Sequence, residues 1–422
     1  MNTTAPGLTV EPTHDRFHLA VFGFLVLFLL CSAFSIALTQ IGYFGALTLW
    51  VGSMVYRKHF SWPRTPLDLF FVAYAAAEVF ATIFSIDFLY SLLYLQRRLL
   101  LIPIVYILLG STTSVRELRI LFSALVLSSL GVALYSLFPL AIHLSEYLRV
   151  QRRLGEFQIY MTAAGIMMIS LMMLIPFLVH RGTPVKVRII IALVILPMLV
   201  NLYFTFTRSS WLGFVTGIIV IASLRTRKLL IILVAAIVVI FLLSTPEQKE
   251  LRFYALVDPS HPHNASRLEM WKVGFRSFLD HPILGVGDVG METIWEKYAD
   301  PGWPWEGHLH NNLMMWLVTL GLAGAGVLIA LFAKAWILVA RIERRLRKDW
   351  FGGSLALGGL AVMAGFHVAG LFEWNFGDAE IIMLIWASIG LVFAADRLLS
   401  PPSLISDSIS AGSGQPDTPL QS

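Results

Sequence analysis

Apolar residues fill most of the chain in continuous runs, many of them about 20 residues long. Runs of this length suit helices that cross a bilayer, and their lack of apolar–polar alternation disfavours a β-barrel. We predict about twelve spans: 18–38, 41–56, 67–85, 92–110, 117–138, 157–179, 187–206, 210–223, 229–244, 312–340, 353–372 and 380–398. A proline in the fourth run, Pro103, is able to break that helix. The pattern predicts an all-α polytopic membrane protein.

One long polar segment, residues 245–311, interrupts the apolar pattern and separates spans one to nine (18–244) from spans ten to twelve (312–399). The first apolar run is too long for a signal-peptide core, so we expect it to be retained. Residues 1–17 precede it as a short polar terminus. Residues 400–422 are rich in Ser, Pro, Gly and Asp, which is typical of a disordered tail.

Composition and charge agree with a membrane protein and suggest its orientation. Charged residues make up 14% of the chain, against about 25% in soluble domains. Lys and Arg concentrate in alternate loops, which the positive-inside rule assigns to the cytoplasm together with both termini. Residues 245–311 then lie on the outer side. The net charge of +5 therefore reports loop orientation and does not indicate nucleic-acid binding. A single cysteine, Cys31, excludes an internal disulfide and a cysteine metal cluster.

A second group of cations lies on the predicted outer side, against this bias. Binding of anionic head groups is the natural reason for it, and the alternatives are snorkelling or ion pairs with Glu146 or Glu156. The group comprises Arg97, Arg98, Arg149, Arg152, Arg153, Arg208, Lys249, Arg252, Arg267, Lys272, Arg276 and Lys297.

Arg208 stands out because it lies between two spans, in Thr207-Arg208-Ser209. A charge beside hydrocarbon is costly unless it is paired, and the planar guanidinium suits a phosphate. The alternative is an ion pair with a distant carboxylate such as Glu373 or Asp378.

The polar segment contains a predicted amphipathic helix at 267–280, with Arg267 in its first turn. Ser266 and Glu269 have the spacing of a capping box, and His281-Pro282 is expected to end the helix. We expect the helix to lie on the outer membrane face. The apolar residues of one face would point toward the lipid: Leu268, Trp271, Phe275 and Phe278.

His308 and His310 sit at the junction of the polar segment and the tenth span. Imidazole has an unperturbed pKa near working pH, so a histidine here suits a general base. A structural histidine and a zinc site are the alternatives. For zinc, the outer side also offers His261, His263 and His281, and three carboxylates. Those carboxylates are Asp288, Glu292 and Glu306.

Three motifs together resemble the O-antigen ligase family, whose superfamily also contains O-antigen polymerases and some bacterial protein O-oligosaccharyltransferases. Each motif is modest alone, and their order and placement carry the resemblance. They are Thr207-Arg208-Ser209; Ser266-Arg267 with Trp271, His281-Pro282 and Gly285-Val286-Gly287; and His308-Leu309-His310-Asn311-Asn312 with Gly321.

The resemblance implies a membrane glycosyltransferase of the C-type fold in a bacterial inner membrane, with a periplasmic catalytic loop at 245–311. It implies transfer of a glycan from undecaprenyl diphosphate to a sugar hydroxyl of lipid A–core, without a metal or other cofactor. His310 would be the base, with His308 as second choice, and Arg208 and Arg267 would hold the diphosphate. Further substrate contacts are expected from His308, Asn311, Arg149, Arg152 and Arg153.

Two other functions stay open at this point. An O-antigen polymerase would use the same site on a different acceptor. A transporter or flippase for anionic lipids or glycans predicts polar residues deep inside spans, where the sequence offers Glu78 and His367.

Overall fold

The structure is a computed structural model that describes residues 16–400, apart from residues 151, 253, 255–257, 259 and 304–306. The described helices are, in chain order, α1 (Arg16–Cys31), α2 (Ile36–Tyr56), α3 (Asp68–Ile83), α4 (Phe88–Leu99), α5 (Pro103–Ser111), α6 (Val115–Ile142), α7 (Leu144–Leu148), α8 (Tyr160–Val179), α9 (Val185–Phe204), α10 (Arg208–Leu224), α11 (Lys228–Leu243), α12 (Pro246–Arg252), α13 (Pro262–Asp280), α14 (Met291–Tyr298), α15 (Asn312–Leu346), α16 (Trp350–Ala369) and α17 (Ala379–Leu399).

The predicted all-α polytopic class is confirmed, since the described residues contain no β-strand. Eight helices are long and apolar enough to cross a membrane, with α4 and α5 counted as one; α1, α10 and α11 are shorter apolar helices. Helix α3, which carries Asp68 and Glu78, belongs to neither group. The number twelve therefore stays a prediction. Nearly all of the predicted tail and nearly all of the predicted N-terminus lie outside the described residues.

The start of the chain corrects one predicted boundary, because α1 ends at Cys31 and α2 begins at Ile36, inside the first predicted span. Ser35 caps α2 by accepting a hydrogen bond from the Leu38 N–H. Polar capping within an apolar run was invisible to hydropathy alone. The break at Pro103 occurs as expected, since this proline opens α5.

The centre of the molecule consists of α8, α16 and α17, which are buried over 89%, 83% and 83% of their most apolar stretches. Helix α10 packs on α16 where Gly213 meets Gly365, because small residues let two helix backbones approach closely. This contact joins the start of α10 to the end of α16. It therefore brings Arg208, the first residue of α10, to the end of the molecule where Glu373 follows α16.

The long polar segment forms a second, smaller core of its own. Buried apolar residues of α13, α14, the 286–289 connection and the start of α15 pack together there, among them Met270, Val286, Trp295 and Leu309. Burial of this apolar surface fixes the segment on the end of the membrane helices. It is thus a folded cap rather than a loose loop.

Helix α13 differs from its predicted form at its start. It begins at Pro262, so Ser266 lies inside the helix and Glu269 is buried within it, where Glu269 bonds Lys272 Nζ and the Asp300 N–H instead of closing a capping box. Its packed face carries Met270 and Val273. Of the predicted lipid-facing stripe, Leu268 and Phe275 are exposed, whereas Trp271 is partly buried against the small core, and the contact of this stripe with lipid stays a prediction. The end of the helix at His281 is as predicted.

Helix α15 is broken at Gly321, whose φ of 62° and ψ of −167° are not helical. Only glycine fits there, because the φ is positive and a Cβ would collide with the Ile283 carbonyl. The segment after α13 bonds to the backbone next to the break, as the Val286 N–H donates to the Val318 carbonyl over 2.8 Å. The second and third sequence motifs therefore interlock at this point.

Candidate functional site

His308, His310 and Glu373 form a compact cluster at the start of α15. His310 Nδ1 lies 2.9 Å from Glu373 Oε1, and His308 Nε2 lies 3.8 Å from the same oxygen. The two imidazole centroids are 4.0 Å apart. The His310 backbone N–H donates to His308 Nδ1 over 3.2 Å. The predicted pair of histidines is thus joined by a carboxylate 63 positions away in the chain.

The residue between the two histidines anchors them. Leu309 is 2% exposed and packs in the small core, while the Trp271 indole N–H donates to its carbonyl. Because Leu309 points into the core, the side chains of His308 and His310 on either side of it both lie near Glu373. His310 itself has a φ of 46°, a conformation that costs a non-glycine residue about 1–3 kcal/mol and is concentrated at functional sites.

Two asparagines hold this segment against the connection that carries Glu373. Asn311 caps α15 by accepting from the Met314 N–H, and its amide donates to the Leu371 carbonyl over 3.0 Å. Asn312 accepts from the Phe376 N–H over 3.0 Å. Both the oxygen and the amide nitrogen of the Asn311 side chain are therefore bonded to the backbone. Its contact with substrate stays a prediction.

The electrostatics of the cluster favour an ionised Glu373 and a neutral His308. Burial raises the pKa of Glu373. The hydrogen bond from His310 and the electrostatic effect of both imidazoles lower it by more, so the pKa of Glu373 lies below its usual value. Burial lowers the pKa of His308 to about 4, and the charges of His310 and Arg267 act in the same direction, against Glu373.

The hydrogen bonds of the two imidazoles assign their nitrogen lone pairs. Glu373 accepts from His310 Nδ1–H, so the neutral form of His310 has its lone pair on Nε2. In His308 the Nδ1 lone pair already accepts the His310 backbone N–H. Of the two histidines, His310 therefore has a ring nitrogen that is oriented by a carboxylate and ready to accept a proton.

Three of the predicted arginines come together beside the histidines, and we call Arg153, Arg208 and Arg267 the arginine set. They belong to the segment before α8, the start of α10 and the first half of α13. The positive charges of Arg267 and Arg153 act on the Arg208 guanidinium, and that of Arg267 also acts on His308. The planar guanidinium groups gathered here suit a phosphate, which they are able to bind bidentately.

Arg149 and Arg152 interact with other parts of the protein and do not belong to the arginine set. Arg152 lies 3.8 Å from Glu146 and over the Tyr147 ring, and the charge of Arg149 acts on Glu247. The ion pair with Glu146 was one of the alternatives for this group of cations. A substrate contact by either arginine stays a prediction.

A cavity of about 730 Å³ opens on the cluster, and His308 forms part of its wall. Its other walls come from α2, α3, α4, the 288–291 connection, α15, the 374–377 connection and α17, rather than from the elements that carry the arginine set. Aromatic and apolar side chains line most of it, including Tyr90, Tyr94, Phe44 and Trp386. Its size lies within the range of ligand sites, about 300–1,000 Å³.

A buried ion-pair network stabilises one wall of the cavity. Arg98 pairs with Asp288 and lies 3.2 Å from Glu78, which also accepts from the Tyr74 hydroxyl over 2.7 Å. Glu78 was one of the two polar residues that a transporter would need inside its spans. The other, His367, packs among aromatic rings. Glu78 therefore has a structural partner that joins α3 and α4 to the 288–291 connection.

The zinc hypothesis now concentrates on a single set of described residues. One ligand atom from each of His308, His310 and Glu373 lies within 4.8 Å of the others, and all three are ligand types that zinc accepts. Among the other candidates, Asp288 pairs with Arg98, whereas Glu306 and the side chain of His263 lie outside the described residues. The same three groups thus suit either a metal ion or a carboxylate-oriented base.

Sequence reasoning found the histidines and arginines but missed the partner that joins the histidines. Glu373 had been considered only as an ion-pair partner of Arg208. The available signal was its position after a span that ends on the same predicted side as His310. The cavity had no sequence signal, because its walls come from many separate parts of the chain.

The described residues thus form a polytopic membrane protein with a histidine–carboxylate pair and grouped arginines at one end. A comparison with protein-family models matches residues 192–329 to the O-antigen ligase family. The chain therefore carries a domain of the O-antigen ligase family, which confirms the resemblance of the motifs. That domain includes Arg208, Arg267, His308 and His310. A comparison with curated proteins finds no match.

Proposed function

We propose that the protein is an O-antigen ligase that transfers a glycan from undecaprenyl diphosphate to a sugar hydroxyl of lipid A–core. The observation that carries the proposal is the His310–Glu373 pair, 2.9 Å long, beside the arginine set. The site would lie at the periplasmic face of a bacterial inner membrane. Both substrates are lipid-anchored, so a site at the bilayer edge meets them at a fixed depth and supplies proximity.

His310 acts as the general base in this proposal. Glu373 orients the imidazole and stabilises the imidazolium that forms, as the carboxylate does in a Ser-His-Asp triad. His308 is less suited, because its Nδ1 already accepts a backbone hydrogen bond and its pKa of about 4 makes it a weak base. We propose that His308 and Asn311 hold the backbone around His310 in place.

The arginine set binds the diphosphate. Guanidinium groups match phosphate oxygens bidentately, and three of them oppose the charge that develops on the leaving group. This is the role that a metal ion fills in other phosphate-releasing transfers. The proposed reaction therefore needs no cofactor.

The proposed step is a direct displacement. The acceptor hydroxyl oxygen bonds to the anomeric carbon while the bond from that carbon to the diphosphate oxygen breaks. The hydroxyl proton passes to His310 Nε2, and the bonding electron pair leaves with undecaprenyl diphosphate. Attack from the face opposite the leaving group inverts the anomeric configuration.

The test is transfer by purified protein supplied with undecaprenyl-diphosphate glycan and lipid A–core in the presence of EDTA. Wild type should shift the lipid A–core band, and His310→Ala should bind donor without transferring it. The control is His18→Ala, which removes a histidine 2.8 Å from a glutamate, Glu117, far from the site. The control should transfer normally.

Other results would point elsewhere. Longer lipid-linked glycan without ligation would indicate a polymerase of the same superfamily. Near-normal turnover by His310→Ala would refute the assigned base. Reversible inhibition by EDTA would revive the metal hypothesis for His308, His310 and Glu373.

A further inference from the structure

The cavity beside His308 has a polar and aromatic rim built by consecutive turns of α4. The rings of Tyr90 and Tyr94 stack with centroids 4.6 Å apart and an interplanar angle of 14°. The Arg97 guanidinium lies 4.7 Å from the Tyr94 centroid. All three side chains line the cavity, together with the amide of Gln96. Flat rings with nearby amide and guanidinium donors suit a sugar, which offers an apolar ring face and hydroxyl groups.

Two adjacent arginines of α4 differ completely in their surroundings. Arg98 is held by Asp288 and Glu78 and is 12% exposed. Arg97 is exposed, and within the described part of the chain no carboxylate lies at ion-pair distance from it. Its described contact is the Tyr94 ring. A cation on a cavity rim without a carboxylate partner is able to pair with an anionic ligand.

The position of the cavity identifies which substrate it suits. The arginine set and the cavity share His308 as a neighbour but are built by different elements. If the arginine set holds the diphosphate of the donor, the second substrate reaches the histidines through the remaining opening. The single arginine of the rim fits one anionic substituent rather than a diphosphate.

We propose that the cavity binds the saccharide of the acceptor, with Tyr90 and Tyr94 stacking on a sugar ring and Arg97 pairing with a phosphate or carboxylate group on it. This inference rests on the proposed function, because it assigns the second substrate of the same reaction. Arg97 is then a specificity residue for acceptors that carry an anionic group.

The test separates the Michaelis constants of the two substrates. Initial rates are measured for wild type, Arg97→Gln and Tyr94→Leu, varying acceptor at saturating donor and then donor at saturating acceptor. Arg97→Gln should raise the acceptor KM about tenfold, as expected for loss of one charge-assisted contact, and Tyr94→Leu should raise it through loss of ring stacking. Neither variant should change kcat or the donor KM. Arg181→Gln, an exposed arginine between α8 and α9, is the control.

Modified acceptors distinguish the two anionic groups. If Arg97 pairs with phosphate, phosphatase-treated lipid A–core should show the raised KM with wild type and no further change with Arg97→Gln. If it pairs with a carboxylate, carbodiimide-amidated acceptor should behave in that way instead. A rise in the donor KM, or no change with any variant or modification, would overturn the inference.

Binding is measured separately from transfer, so that the two proposals fail separately. Isothermal titration calorimetry with delipidated core saccharide should show binding to wild type and weaker binding to Arg97→Gln. If wild type binds the saccharide but transfers nothing, the proposed function fails and the cavity assignment stands. If wild type transfers but Arg97→Gln binds the saccharide as well as wild type does, the cavity assignment fails alone.

Discussion

The two sides of the His308–His310–Glu373 cluster differ in how they use charge. On one side, three arginines from separate elements come together, since the charges of Arg153 and Arg267 both act on Arg208. On the other side, a cavity of about 730 Å³ offers aromatic rings and one exposed arginine on its rim. Dense positive charge suits a diphosphate, whereas a mainly aromatic wall suits a saccharide. The contrast indicates that the two substrates of the proposed reaction are recognised by charge density on one side and by shape on the other.

The largest effect is expected from substitution of Glu373, which lies between the two sides. Glu373→Gln removes the carboxylate that orients His310, and replacing the corresponding carboxylate in a Ser-His-Asp triad costs about 10⁴ in kcat. We expect kcat to fall by roughly 10²–10⁴ with little change in either KM. Steady-state transfer rates at saturating substrates measure this.

Glu117→Gln is the matched control, because it alters a histidine–glutamate pair far from the site. It should keep its kcat. An unchanged kcat in Glu373→Gln would show that the carboxylate only holds the segment in place.

The arginine side is tested by Arg267→Lys, which keeps the charge and removes the bidentate fork. A single donor to developing charge contributes roughly 10²–10³ in kcat, so we expect a fall toward the lower end of that range. The acceptor KM should not change, since the acceptor is assigned to the other side. Arg276→Lys, on the same helix but bonded to Asp300, serves as the control. Full activity of Arg267→Lys would show that only the positive charge of Arg267 is needed and not its bidentate geometry.

Gly321→Ala tests the interlock between the segment after α13 and the break in α15. A Cβ at this positive φ meets the Ile283 carbonyl, so we expect a loss of stability of about 1–3 kcal/mol or more and a lower melting temperature. Gly326→Ala lies on the same helix with open space around the new Cβ and should not destabilise the protein. Equal melting temperatures for both variants would argue against the interlock.

These features were not equally readable from the sequence. The histidine and arginine motifs are local, so their residue types and order were sufficient to predict them. Glu373 reaches His310 only through the packing of α16 beside α15, which no local pattern records. The start of α13 at Pro262 and the burial of Met270 and Val273 depend on its packing against α14 and α15, which the apolar stripe alone does not predict. Long-range packing therefore accounts for most of what was missed.

The smallest expected effect concerns His308, the residue that both sides share. Its pKa of about 4 in the folded protein lies below the ordinary value of 6.5, because of burial and the nearby charges of His310 and Arg267. The unfolded chain therefore takes up a proton at this residue at a higher pH than the folded protein does. The stability linked to His308 is fully present above pH 6.5 and is lost as the pH falls toward 4.

His308→Gln should flatten this part of the pH dependence. Melting temperatures measured at pH 7, 5.5 and 4.5 should fall less in the variant than in wild type, although protonation of Glu373 continues in both. If the two curves run parallel, His308 is not held neutral by its surroundings. His308 would then take up a proton near its ordinary pKa of 6.5, and the contrast between the two sides would weaken as the pH falls below that value.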